Sequence, residues 1–121
     1  MIAGLRRAAT LDVASLRGAW WAWRAVRCVR RDLKRRPLAN VHVPAPRALP
    51  ARAGRGVLAV LRRLEPTCLE RSLVLQRWLA AHGDARPVVV GVRSPAAAFS
   101  AHAWLEGEPD PGYHEITRIL P

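Results

Sequence analysis

Apolar positions set the period of this chain, and the period changes once along it. Val13, Leu16, Trp20, Trp23, Val26 and Val29 recur close to the helical repeat, with Arg24, Arg27, Arg30 and Arg31 on the positions between. Asp12 stands where an N-cap belongs, so residues 4–36 are expected to be helical, with Gly18 as the candidate break. Pro37, Pro44, Pro46 and Pro50, with Gly54 and Gly56, exclude a continuous helix beyond that point. Residues 38–50 read as an extended connector lying across the domain, and 57–64 (VLAVLRRL) as a short helix. Pro66-Thr67 then opens a stronger helix that runs to His82. Leu69, Leu73, Gln76, Leu79 and Ala80 form its stripe, widened by Val74 and Trp78, and Gly83 falls where a left-handed C-terminal cap belongs.

After Asp84 the period drops to two. Residues 87–93 (PVVVGVR) make a strand with an apolar centre, and 94–98 a turn. In 99–106, Phe99, Ala101, Ala103 and Leu105 share one face, while Ser100, His102, Trp104 and Glu106 share the other. Residues 107–112 must turn, and 113–120 make a third strand, read as the hairpin partner of the second. The expectation is an α+β fold in a single compact domain. A basic helical, Pro-rich extension (1–56) precedes a core (57–121) of one helix on a small antiparallel sheet.

A length of 121 residues suits one domain. No apolar run reaches the roughly 18 residues of a membrane span, and the arginines scattered through the first 30 residues do not resemble a signal peptide. Two cysteines, Cys28 and Cys68, are too few for a disulfide framework, so the expected compartment is the cytoplasm. Charge is divided unevenly: residues 1–64 carry a net +13 and residues 65–121 a net −2. A basic half can face nucleic acid, an acidic protein or anionic lipid. Nucleic acid ranks last, because no recognition motif is present and one Tyr and one Phe offer little to stack on bases.

The candidate chemistry lies in the second half. Cys68 falls in the first turn of the strongest helix, where unpaired N–H groups and the positive end of the helix dipole favour the nucleophilic thiolate. The same N–H groups can hold an oxyanion. His102 stands mid-strand on a later sheet. A Cys at a helix start and a His on a following strand suit a nucleophile–base dyad, with the imidazole taking the thiol proton and returning it to the leaving amine. His42, His82 and His114 fit that role less well, and Cys28 reads as structural.

The run Pro66-Thr67-Cys68-Leu69-Glu70-Arg71-Ser72-Leu73, then Val90-Gly91-Val92, then Ala101-His102-Ala103-Trp104-Leu105-Glu106, resembles the transglutaminase-like cysteine proteases of lasso-peptide biosynthesis. It is most similar to the separate leader peptidase found where the function is split over two chains. The resemblance is close over 66–118 and looser through the Arg-rich, Pro-rich first part. It implies a papain/transglutaminase-like core and a cysteine endopeptidase that removes a leader peptide from a ribosomally made precursor, before a macrolactam synthetase closes the ring. It also implies a separate leader-binding protein, and it calls for no metal and no cofactor.

That family places an Asp about a dozen residues after the His, but here the twelfth residue is His114. Glu115 and Asp110 are the two alternatives for orienting the imidazole. Glu115 leads because an adjacent strand would set its carboxylate against the ring across the pair. Trp104, on the His102 face, is a candidate wall for the substrate. The Trp20-Trp21-Ala22-Trp23 cluster has three readings: a core face, an interaction surface or a membrane-surface helix. The competing function is a non-catalytic basic adaptor with a degenerate fold, binding a partner protein or nucleic acid.

Overall fold

The computed structural model describes residues 12–93, 100–109 and 112–121, leaving aside the side chain of Ser100. Helix α1 spans Val13–Arg35, α2 Gly54–Leu64 and α3 Cys68–Ala80, with short 3₁₀ turns at Leu38–Asn40 and Ala51–Ala53. Strands β1 (Val88–Arg93), β2 (Ser100–Leu105) and β3 (His114–Ile119) complete an α+β architecture. The turn expected at 94–98, the helical reading of 4–11, Phe99 and Asp110 lie outside the described residues.

Asp12 caps α1 by accepting from Ser15 N at 2.8 Å. The helix then runs unbroken through Gly18, against the expected break. The glycine answers a tertiary demand: a Cβ there would overlap the Ala53 carbonyl, and one at Gly56 would overlap the Ser15 carbonyl. α1 therefore meets the 3₁₀ turn at Ala53 and α2 at Gly56, backbone to backbone. Trp21 Nε1 donates to Pro44 O at 3.0 Å and ties the connector across α1. α2 starts at Gly54, three residues earlier than its apolar pattern suggested.

One hydrophobic cluster joins the layers. It includes Ala22, Ala25, Val26 and Val29 of α1, Val57 and Leu61 of α2, Leu73, Val74 and Trp78 of α3, and Val88, Ala103 and Leu105 of the sheet. Residues from both sides of position 56 thus share one core. The turn that follows α3 closes at Gly83, whose φ is 82°. Gly83 N donates to Ala80 O at 3.3 Å and Asp84 N to Leu79 O at 2.9 Å, the bond pair of a Schellman cap.

The strand order is β2-β1-β3, with β1 antiparallel to both neighbours. The expected β2–β3 hairpin is therefore incorrect: β1 lies between them. The run Val88-Val89-Val90 is apolar on both faces, as a central strand requires. Val88 faces the helices, and Val89 is buried on the other side of the sheet. Gln76 Nε2 donates to Arg86 O at 2.9 Å and Ile119 O at 2.7 Å, joining α3 to the chain entering β1 and to the end of β3.

Candidate active site

Cys68 is the first residue of α3 and is half-buried. The turn that presents it is held twice. Thr67 and Glu70 form a capping box: the Thr67 hydroxyl accepts from Glu70 N at 3.2 Å, and Glu70 Oε1 accepts from Thr67 N at 2.9 Å. The Glu70 carboxylate, buried at 8% exposure, also receives Arg30 Nε of α1 at 3.2 and 3.3 Å. Arg30 Nη2 donates to Leu64 O at 3.1 Å, so a single guanidinium clamps both ends of the turn leading into Cys68. These roles of Arg30 and Glu70 were missed in the sequence. The Thr-x-x-Glu spacing could have shown the box, but no local signal links residues 30 and 70.

Arg30→Gln is expected to leave a buried carboxylate without its cation. The loss of stability should be about 2 kcal/mol, below the roughly 3–5 kcal/mol of a fully buried pair because the Arg30 side chain is 39% exposed. Urea unfolding checks this, and Glu70→Gln added to Arg30→Gln should recover part of the loss.

α3 lies along the free edge of β2. Cys68 Sγ accepts from Ala103 N at 3.4 Å, and Ser72 Oγ, one turn further on, donates to Ala103 O at 3.3 Å. The thiol therefore sits at the peptide that leads out of His102, in line with the strand edge. The imidazole itself lies on the sheet face away from α3. Its ring is 5.8 Å from Trp104, nearly parallel at 18°, and 5.2 Å from Tyr113. Arg93 lies over Tyr113 at 5.7 Å. Trp104 is buried, and its ring covers Gly91, where a Cβ would come within 2.8 Å of it. In this conformation Trp104 supports the imidazole and offers little surface of its own.

His102, Gly91 and Glu115 stand in one row across the three strands. The expected contact across a strand pair is corrected by the strand order, since two strand spacings, about 9–10 Å, separate β2 from β3. The Glu115 carboxylate instead receives Arg118 Nε at 2.7 Å and Nη2 at 3.0 Å, while Arg118 Nη1 reaches Glu106 at 3.1 Å. That hydrogen-bonded guanidinium holds the Glu115 carboxyl below the ordinary carboxylate range. Asp110 lies outside the described residues.

The other histidines and Cys28 lie elsewhere. The ring nitrogens of His82 are 2.8 Å from Trp78 O and 2.9 Å from Leu49 O, fixing the connector to the end of α3. His42 is exposed, and its amide donates to buried Asp32 at 3.1 Å. Cys28 lies on α1 with Arg31 Nη2 at 4.0 Å. Among the described residues no group of His, Cys, Asp and Glu could hold a metal ion.

A nucleophile candidate at a helix start, laid against a strand that carries a histidine, matches what the chain shows in comparison with known families. A sequence profile described as the transglutaminase-like superfamily matches residues 10–117. The chain belongs to this superfamily, which includes many cysteine proteases. No curated protein and no solved structure matches it. Among the described residues no helix is long and apolar enough to cross a membrane.

Proposed function

We propose that this protein is a cysteine endopeptidase that removes the leader peptide from a ribosomally made lasso-peptide precursor before macrolactam closure. The observation that carries the reading is the position of Cys68: first residue of a capped helix, with Sγ on the peptide that leads out of His102. Its partners would be a separate leader-binding protein and a macrolactam synthetase.

The chemistry follows from the helix start. The capping box uses the amides of Thr67 and Glu70. The amides of Cys68 and Leu69, at the first two helical positions, have no acceptor within the helix and can donate to the developing oxyanion. The thiolate attacks the scissile carbonyl, giving an acyl-enzyme and a free amine, and water then releases the leader's carboxylate. To take the thiol proton, the His102 ring turns from Trp104 and Tyr113 toward the edge of β2. Among the described residues no strand lies outside that edge, and the thiol is in line with it, so a rotamer change serves in place of a change of register.

The test is cleavage of a lasso-peptide precursor, followed by mass spectrometry, with a purified leader-binding protein added or omitted. A single cut at the leader–core junction, faster with the partner present, is the expected result. An intact precursor under both conditions would favour the non-catalytic adaptor. Glu115→Gln and Asp110→Asn identify the orienting acid. Loss of the orienter should cut the rate by roughly 10- to 10⁴-fold, with circular dichroism unchanged. If both variants cleave normally, Cys68 and His102 act as a dyad.

A further inference from the structure

α1 turns one side to the core and the other to solvent. At about 100° per residue, Val13, Leu16, Trp20 and Trp23 fall on the outer side, and the first three are 72%, 56% and 61% exposed. Arg17, Arg24, Arg27, Arg31, Lys34 and Arg35 fall within the same arc. No acid of the helix shares it. Asp12 is spent on the cap, and Asp32 is buried, accepting from the His42 amide, with Arg31 reaching it at 3.8 Å.

The three tryptophans and the alanine of the 20–23 cluster thus divide by face. Trp21 and Ala22 belong to the core, whereas Trp20 and Trp23 stack on each other outside it at 5.3 Å, with Arg27 over Trp23 at 4.8 Å. A groove of about 440 Å³ continues the surface sideways, with Leu16, Trp20 and Arg24 on one bank and Ala45, Arg47 and Leu49 on the other.

We propose that this face of α1 binds an anionic lipid surface, lying in the plane of the membrane. The charge of the arc is all of one sign, so its complement is a dense anionic array that needs no matching cations. The apolar residues decide between such arrays. Val13 and Leu16 have nothing to enter on a phosphate backbone, whereas a bilayer offers an acyl layer beneath its phosphates. Tryptophans beside arginines suit the headgroup level. The arginines and lysine then sit over anionic headgroups, and their attraction is screened by salt. The side of α1 that meets α2 and α3 faces away from the lipid. This inference does not depend on the proposed peptidase activity.

The experiment is co-sedimentation of the full chain with phosphatidylcholine vesicles containing about one-third phosphatidylglycerol, against phosphatidylcholine alone. Binding at least about tenfold stronger to the anionic vesicles, falling as salt is raised, is the expected result. The Trp20→Ser/Trp23→Ser variant and the Arg24→Gln/Arg27→Gln/Arg31→Gln variant should each weaken it about tenfold, with circular dichroism unchanged. Arg62→Gln/Arg63→Gln, on the exposed side of α2, should leave it intact. Absence of sedimentation, equal binding to both vesicles, or an equal loss in the α2 variant would each overturn the proposal. So would a preference for single-stranded RNA over the anionic vesicles that survives the tryptophan changes.

Discussion

Cys68→Ala is expected to abolish precursor cleavage while the folded protein survives. Among the described residues the thiol has one hydrogen bond to the sheet, from Ala103 N at 3.4 Å, and the neighbouring Ser72 hydroxyl holds the same residue by its carbonyl. The helix start is secured by Thr67, Glu70 and Arg30, none of which the substitution touches. Stability should therefore fall by no more than about 1 kcal/mol, the worth of a weak hydrogen bond, whereas the rate should fall by roughly 10³-fold or more, as when a nucleophile is removed. His102→Ala should give a comparable loss of rate. Its imidazole contacts only Trp104 and Tyr113 among the described rings, so the sheet should keep its circular dichroism. Mass spectrometry of the precursor separates the outcomes: near-wild-type cleavage by either variant removes that residue from the mechanism.

Gly56→Ala is expected to be the most destabilising single methyl in the chain's helical layer. Its Cβ would overlap the Ser15 carbonyl and come within 2.8 Å of Ala19 N, and both are backbone atoms that cannot swing aside. Separating α1 from α2 to make room would open the core around Val57 and Ala22, both fully buried. A loss of about 3 kcal/mol is expected, at the upper end of overpacking effects. Gly54→Ala, two residues earlier on the same helix, is the control. Its Cβ meets Trp78 Nε1 at 3.3 Å, a side-chain contact that can yield by a few tenths of an ångström. Alanine's helix propensity offsets that contact, so the net change should stay within about 1 kcal/mol. Urea denaturation of the two variants should differ clearly in midpoint with similar slopes.

Both predictions bear on how far the sequence could be read. α3 was legible because its apolar period, the Pro66-Thr67 entry and Gly83 agree locally, and the structure places Cys68–Ala80 between them. The strands were legible because alternation is a local signal, and His102 and Trp104 do share a face. The strand order was not, since each strand pattern is compatible with several neighbours. The clue was that β1 is apolar on both faces while β3 is almost wholly exposed. Gly18 was misread because glycine's local cost in a helix is visible and its tertiary purpose, contact with Ala53, is not. The Arg30–Glu70 pair bridges 40 residues and leaves no local pattern. In the candidate site, the positions of Cys68 and His102 on their elements were readable. Which side of β2 would meet α3 was not, because Ala103 and His102 differ by a single step along the strand.

The central claim, that Cys68 is the reactive nucleophile of a peptidase, is tested most directly by timed iodoacetamide labelling at about pH 6.5. Peptide mass spectrometry would follow each cysteine, with precursor cleavage assayed on the same samples. Cys68 is expected to be alkylated at least about tenfold faster than Cys28, with cleavage lost in step with its modification. Faster labelling of Cys28, or full cleavage by protein already alkylated at Cys68, would contradict that claim.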